Sequence, residues 1–176
     1  MRVEAERIYL RPLTVADCSA DYVGWLNDPE VSRFLETRHS EQTQASVEGF
    51  VSAVNARPNE HLFGIFLRDG DRHIGNIKVG PVGSYHPVGD VSLLIGARDC
   101  WGKGFASEAI AAVSRHALGH LGAKKLSASM YEPNQGSCKA FLKAGYKQEG
   151  LRRQHYMLDG ALCDVIELGL TPEDIA

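Results

Sequence analysis

The sequence predicts one α/β domain over residues 1–176: a mixed, mostly antiparallel sheet of about seven strands with helices on both faces. Three observations carry that prediction. Apolar periodicity switches between helical and strand-like spacing along the chain, so helices are interleaved with strands. D-G-D at 69–71 and D-G at 159–160 each sit between strand-like runs and read as hairpin turns. G-K-G at 102–104 follows the apolar run V-S-L-L-I and opens a long amphipathic segment, which marks a strand-to-helix corner.

The elements follow in order. R-I-Y-L-R-P-L (7–13) alternates like an edge strand and stops at Pro12. Thr14 is an N-cap for a helix through Asn27, with Val15, Cys18, Tyr22 and Trp25 at helical spacing, and Asp28-Pro29 breaks it. A second helix spans Thr43 to Asn55, with Val47, Phe50, Val51 and Val54 on one face. H-L-F-G-I-F-L-R and R-H-I-G-N-I-K-V form a hairpin, and a Gly/Pro-rich loop occupies 80–89. D-V-S-L-L-I-G is apolar on both faces and therefore central. A long helix carries Ala106, Ala109, Ile110, Val113, Ala117 and Leu121. K-L-S-A-S-M-Y is a strand halted before Pro133, and Gln135 to Ala144 is a short helix closed by Gly145. Two last strands cover about Lys147 to Leu158 and Leu162 to Leu170.

Composition narrows the function classes. A net charge of −3 over 176 residues gives no electrostatic case for nucleic acid, and none is expected as a partner. No apolar run approaches the ~20 residues of a membrane span, and M-R-V-E-A-E-R lacks a signal peptide's apolar core, so a cytoplasmic protein without a membrane partner is expected. Cys18, Cys100, Cys138 and Cys163 are far apart with no C-x-x-C pair, which predicts reduced thiols and no metal. His116 and His120 share a helix face without a third ligand nearby in sequence and read as cations near the helix C-terminus.

The glycine turn narrows the ligand. A dinucleotide fingerprint wants a third glycine or alanine where Ser107 stands, and an acidic residue ~20 positions on. A P-loop would need glycine at 97 and a hydroxyl at 104, where the chain has Ala97 and Gly104. What remains is a turn of bare N–H groups at a helix N-terminus, suited to an anion, with Lys103 as a flexible charge.

Downstream lies E-P-N-Q-G-S-C-K-A-F-L-K-A-G-Y (132–146). Together with W-G-K-G-F-A-S-E-A it resembles the GNAT superfamily of acetyl-CoA-dependent N-acetyltransferases. Y-V-G-W-L-N-D-P-E-V-S-R-F-L and Y-M-L-D-G-A-L-C-D-V-I are similar to its ribosomal-protein and aminosugar branches, so the resemblance covers nearly the whole chain. It implies that acetyl-CoA is held at the turn by Arg98, Gly102, Lys103, Gly104 and Ala106. It further implies that Asn134 contacts the pantetheine arm, as does Ser137, and that a backbone N–H near Leu94 or Ile95 meets the oxyanion. One departure is Asp99, three residues before the first glycine, where relatives often carry Gln or Arg.

The resemblance implies direct attack by the amine without an acyl-enzyme. Asp90, at the start of the strand before the turn, stands where many relatives carry a basic Glu. Phe141 replaces a tyrosine acid, leaving Ser137, with Tyr131 as second choice, to protonate the thiolate. Asn134 also suits an N-cap. Trp25, Asn27 and Asp28 are either acceptor-site or core residues, and Tyr85 and His86 are loop candidates for acceptor contact. The expected acceptor is a protein N-terminus or a small amine such as an aminosugar nucleotide, a polyamine or an antibiotic. A homodimer is common in the family. The competing reading is a non-catalytic acyl-CoA-binding module on the same fold.

Overall fold

The sheet opens with Val3–Glu4 (β1) hydrogen-bonded to Ile8–Pro12 (β2). Three further strands follow, His61–Leu67 (β3), His73–Val79 (β4) and Val88–Ile95 (β5), each antiparallel to the one before it in space. Lys125–Tyr131 (β6) then lies parallel to β5, and Lys147–Leu158 (β7) and Ala161–Leu170 (β8) complete the order β1-β2-β3-β4-β5-β6-β8-β7. This computed structural model describes residues 1–175.

Two helices cover one face, Phe105–His120 (α4) and Gln135–Lys143 (α5). Their apolar stripes meet Ile8, Ile65, Ile74, Leu126 and Leu168 in the larger core, where Ile110, Val113 and Phe141 are almost fully buried. Removing one such side chain costs about 3–5 kcal/mol for Phe to Ala, because the cavity left behind relaxes only in part. The opposite face carries Ala20–Asn27 (α1), Pro29–Ser32 (α2) and Gln44–Asn55 (α3). A smaller core there joins Leu13, Tyr22, Leu26, Val47, Val51, Val54 and Leu62.

The sheet has eight strands where about seven are expected; the additional one is the two-residue β1, too short to show periodicity. The helix expected from Val15 to Asn27 is broken. Arg11 and the Thr14 N–H and hydroxyl hold Asp17 in a single 3-10 turn, and Ser19 then caps α1 afresh by accepting from the Tyr22 N–H at 3.2 Å. Asp28-Pro29 ends α1 as expected and also starts α2, with Asp28 as its N-cap. Phe50, expected on the buried face of α3, is 48% exposed. His116, expected as a cation near the helix end, instead packs edge-on to Phe63, and burial followed by the charges of His120 and His61 lowers its pKa.

The pairing of β5 with β6 positions the site. It covers Val88 to Asp90 opposite Lys125 to Ser127 and then stops, while β5 stays paired with β4 as far as Ile95. The two central strands therefore splay, opening a wedge in the middle of the sheet.

Candidate active site

Backbone alternation decides what lines the wedge. The Asp90 carbonyl accepts from Gly80 and the Gly96 N–H donates to Ile74, so even-numbered residues of β5 turn their backbone toward β4. The N–H groups of Leu93 and Ile95 face the opening instead. Leu94 thus presents its side chain, not its amide, to the site, which leaves Ile95 of the two expected oxyanion donors. Trp101 fixes the strand end, its indole N–H donating to the Ile95 carbonyl at 2.7 Å.

At the corner, Gly102 and Gly104 have φ of +71° and +84°, left-handed values that suit glycine. Gly104 is the N-cap residue of α4 and has no side chain to satisfy the helix's first N–H groups, which stay open to an anion. The turn is braced from behind. Arg7 donates to the Lys103 carbonyl at 2.9 Å, pairs with Glu108 at 2.8 Å and stacks over Phe105. Glu108 in turn accepts from the Arg7 and Ile8 N–H groups and places a carboxylate in the first turn of α4. Nothing local in the sequence signals a contact across a hundred residues.

A cavity of about 360 Å³ fills the wedge, lined among others by Leu94, Ile95, Gly102, Gly104, Ala106, Asn134 and Ser137. Six of the expected coenzyme residues, together with Ser137, are thus brought to one cleft. Asn134 caps α5, its side-chain oxygen accepting from the Ser137 N–H at 3.3 Å. Arg98 does not line the cleft. Its guanidinium reaches Glu30 at 2.5 Å and Asp28 at 3.5 Å, tying the corner to α2. Lys103 is exposed beside the turn without lining the cleft, and Asp99 is engaged by Arg72.

A second cavity of about 530 Å³ lies under α1–α3 against β4 and β5. It shares Phe34, Leu35, Leu93 and Leu94 with the first, so the two meet at the middle of β5. A more open depression of about 770 Å³ beside Asn27, Arg33, Arg38 and Asp159 involves no β5 residue and lies away from that junction.

Asp90 points to the same face as Ser92 and Leu94 but lines neither cavity. It stands about 13 Å along the strand from Leu94. Although the residue keeps solvent access, protein crowds its carboxyl, and that desolvation raises its pKa against the opposing hydrogen bond from Ser127. Tyr131 lines neither cavity. Its hydroxyl donates to Glu36 and accepts from Arg38 at 3.0 Å, and burial followed by the bond to Glu36 raises its pKa.

Trp25 belongs to the packing rather than to either cavity. Its ring lies where a side chain on Gly96 would stand, 2.0 Å from an added Cβ, and meets His73 edge-on. Asn27 holds Gln42 through two hydrogen bonds of 2.8 Å, and Asp28 caps α2. Tyr85 is 94% exposed on its loop, and neither it nor His86 lines either cavity. The four cysteines are free; Cys100 lines the cleft and Cys138 is buried in α5. Among the described residues no group of three or more His, Cys, Asp and Glu is placed to hold a metal, and no helix is long and apolar enough to cross a membrane.

Comparison with known proteins bears on this geometry. The model of the acetyltransferase (GNAT) domain family matches residues 7–147. An uncharacterized N-acetyltransferase, YoaA of Bacillus subtilis, is 29% identical over 164 residues, covering 92% of each chain. The spermidine N-acetyltransferase of Vibrio cholerae, solved with CoA and spermine, shares the fold with a TM-score of 0.84 at 17% identity, over 96% of this chain and 97% of that one. Mycobacterium smegmatis RimJ, solved with CoA-disulfide, does so with a TM-score of 0.85 at 19% identity, over 99% of this chain and 89% of that one. A glycine corner that leaves helix N–H groups open, a wedge between splayed central strands and a matching family model agree: the chain belongs to the GNAT family of acetyl-CoA-dependent N-acetyltransferases.

Proposed function

We propose that the protein acetylates a primary amine, on a protein N-terminus or a small molecule, by direct attack in a ternary complex. The observation that carries this reading is the junction of the two cavities at Leu93 and Leu94. A thioester laid in the wedge would present its carbonyl there, beside the Ile95 N–H, while an amine would arrive from the second cavity. Preorganised backbone donors at a developing oxyanion are often worth more than any other single catalytic effect. The neutral amine attacks, the new C–N bond forms as the C–S bond breaks, the thiolate takes one proton and the former ammonium releases the rest.

Ser137 protonates the thiolate. It lines the cleft, whereas the Tyr131 proton is already given to Glu36. Asp90 is too distant to touch the amine and would receive its proton only through a chain of waters along Ser92 and Leu94. Lys125 of β6 pairs with Glu149 and Arg152 with Glu167, yet Leu151, Tyr156, Met157 and Leu162 on the last two strands are exposed, which supports a homodimer through this edge.

Ser137→Ala and Asp90→Asn test the chemistry against acetyl-CoA binding by calorimetry and turnover by mass spectrometry. Ser137→Ala is expected to lower kcat by about 10²-fold or more with the coenzyme still bound. Full activity in that variant would remove the serine from the mechanism. Asp90 gives a paired readout. Its folded pKa lies above the unfolded one, so its ionisation costs stability once pH rises through the unfolded value, and the cost is complete above the folded value. Asp90→Asn should therefore raise Tm at neutral pH while slowing turnover on the acid side of the pH profile. Unchanged turnover at every pH would leave Asp90 without a catalytic part.

A further inference from the structure

The second cavity holds a buried hydrogen-bond donor with nothing to bond. Asn76 is 6% exposed and lines the cavity, and its side-chain Nδ2 has no partner. The amide's orientation is set by His73. The His73 Nε2 lies 3.0 Å from the Gly75 carbonyl, which only accepts, so that nitrogen carries the proton. The same N–H lies 2.8 Å from the other atom of the Asn76 side chain, which must then be the oxygen. His73 is itself locked, stacked on Phe66 at 4.8 Å and edge-on to Trp25 at 5.1 Å, and burial lowers its pKa. The Tyr22 hydroxyl is its polar neighbour: a hydrogen-bonding approach by Asn76 slightly offsets the rise that burial gives the Tyr22 pKa, but the contact falls short of a formed hydrogen bond and leaves Nδ2 unsatisfied.

A second polar atom lining the cavity, on the segment after α2, is also unmet. Thr37 Oγ1 is buried without a partner and lines the same cavity. Native interiors rarely leave such groups open, since each carries its desolvation cost uncompensated.

The position of Asn76 says what its partner would be. It pairs directly with Leu94, at the junction where the amine would meet the thioester. Directly opposed side chains start about 5 Å apart, so an oxygen held by Asn76 lies only a few bonds from the reacting nitrogen. The other walls are largely hydrocarbon, from Leu26, Phe34, Val47, Phe50, Leu62 and Leu94. The one lining carboxylate, Glu36, is already met by Tyr131, Arg38 and His39, and the one lining cation, Lys78, is met by Glu60. Such a lining suits neither a polycation nor a nucleotide sugar.

We propose, resting on the acetyl-transfer reading above, that the acceptor is an apolar α-amino compound. Its amine stands beside a carbon bearing a carbonyl or carboxylate and a hydrocarbon side chain, and Asn76 Nδ2 donates to that oxygen. Thr37 completes the polar end, and the hydrocarbon side chain fills the space toward α1 and α3. Free amino acids and the first residue of a peptide share this chemistry.

The test is acetyl-CoA-dependent turnover, followed by mass spectrometry, of a matched series: leucine, leucinamide, a leucine-initiated tripeptide, 3-methylbutylamine, spermidine and glucosamine. The α-carbonyl compounds are expected to exceed 3-methylbutylamine in kcat/KM by at least about tenfold, because a site built to bond an oxygen discriminates against an analogue lacking it. Turnover of leucine without the tripeptide identifies a free amino acid as the source; the reverse identifies a peptide N-terminus. Asn76→Leu is expected to bring the ratio of leucinamide to 3-methylbutylamine down to about one, a change that a merely structural role for Asn76 would not produce. Equal use of 3-methylbutylamine and leucinamide by the unaltered protein overturns the inference whether or not the variant folds. Preference for spermidine or glucosamine overturns it too, and both results leave acetyl transfer to amines standing. No turnover of any amine would overturn both readings.

Discussion

The two cavities that meet at β5 are built by opposite means. The cleft proposed for the coenzyme has a backbone floor, a strand edge released by its neighbour, two left-handed glycines and the first turn of α4, closed over by side chains from Glu30 to Leu35. Its pieces lie within short sequence stretches, and few side chains need specific identities. The second cavity, proposed for the acceptor, is made of side chains drawn from α1, α3, β3, β4, β5 and the segment after α2. Backbone geometry tolerates drift in sequence, whereas a cavity of side chains is rewritten by each substitution. One chain can therefore keep a shared cosubstrate while its acceptor is redefined.

Substitutions can break this contrast or sharpen it. The largest effect is expected from Gly104→Val, which forces a β-branched residue to φ +84° with its Cβ near Arg7. The dissociation constant for acetyl-CoA should rise at least about tenfold, read by calorimetry, with the acceptor KM little changed. A parallel rise in acceptor KM would show that the two cavities are not separable. Phe34→Ala is expected to have a smaller but shared effect, because Phe34 belongs to both walls. Steady-state kinetics should show both KM values raised by roughly three- to tenfold, as expected for loss of part of an apolar contact; a change in only one would place the boundary elsewhere. The smallest effect belongs to Asp17, outside both cavities. Hydrogen bonds from Arg11 hold its pKa down to about 2, so its contribution to stability is present above the usual 3.8 and is lost as pH falls toward 2. Since Arg11 is partly exposed, the loss is taken as about 1 kcal/mol, or about 2–4 °C in Tm. Asp17→Asn should lose this pH dependence in a melting series without altering either KM.

The same contrast explains what could be read from the sequence. Periodicity and turn residues suffice for β3 through β8, α3, α4 and α5, because each is specified by neighbours along the chain. The glycine corner and the Asn134 cap are legible for that reason: G-K-G and N-Q-G-S each shape the backbone where they stand. The fracture of the first helix was encoded too, in Thr14, Asp17 and Ser19, but helical spacing of apolar residues across the break concealed it. Arg7–Glu108 and Asn76–His73 were not legible in the same way. The first joins residues about a hundred positions apart, and the second depends on which way an amide faces inside a folded box of rings. Arg98 stands beside the turn among the residues that the resemblance implies hold acetyl-CoA, and only the fold brings Asp28 and Glu30 within its reach.

The early end of the β5–β6 ladder has a thermodynamic consequence. Past Asp90 and Ser127 the sheet lacks cross-links at its centre, so β1–β5 and β6–β8–β7 are held there mainly by the packing of α4 and α5 beneath. On the acetyl-transfer reading proposed above, a cosubstrate wedged into that gap would act as a keystone. By mass action alone it adds about 2.7 kcal/mol at a hundred times its dissociation constant. Amide hydrogens of Leu93 and Ile95, which face the gap, should exchange freely in the empty protein and slow sharply once acetyl-CoA is seated. The empty protein is in that sense an unfinished sheet, which the proposed cosubstrate would complete once per turnover.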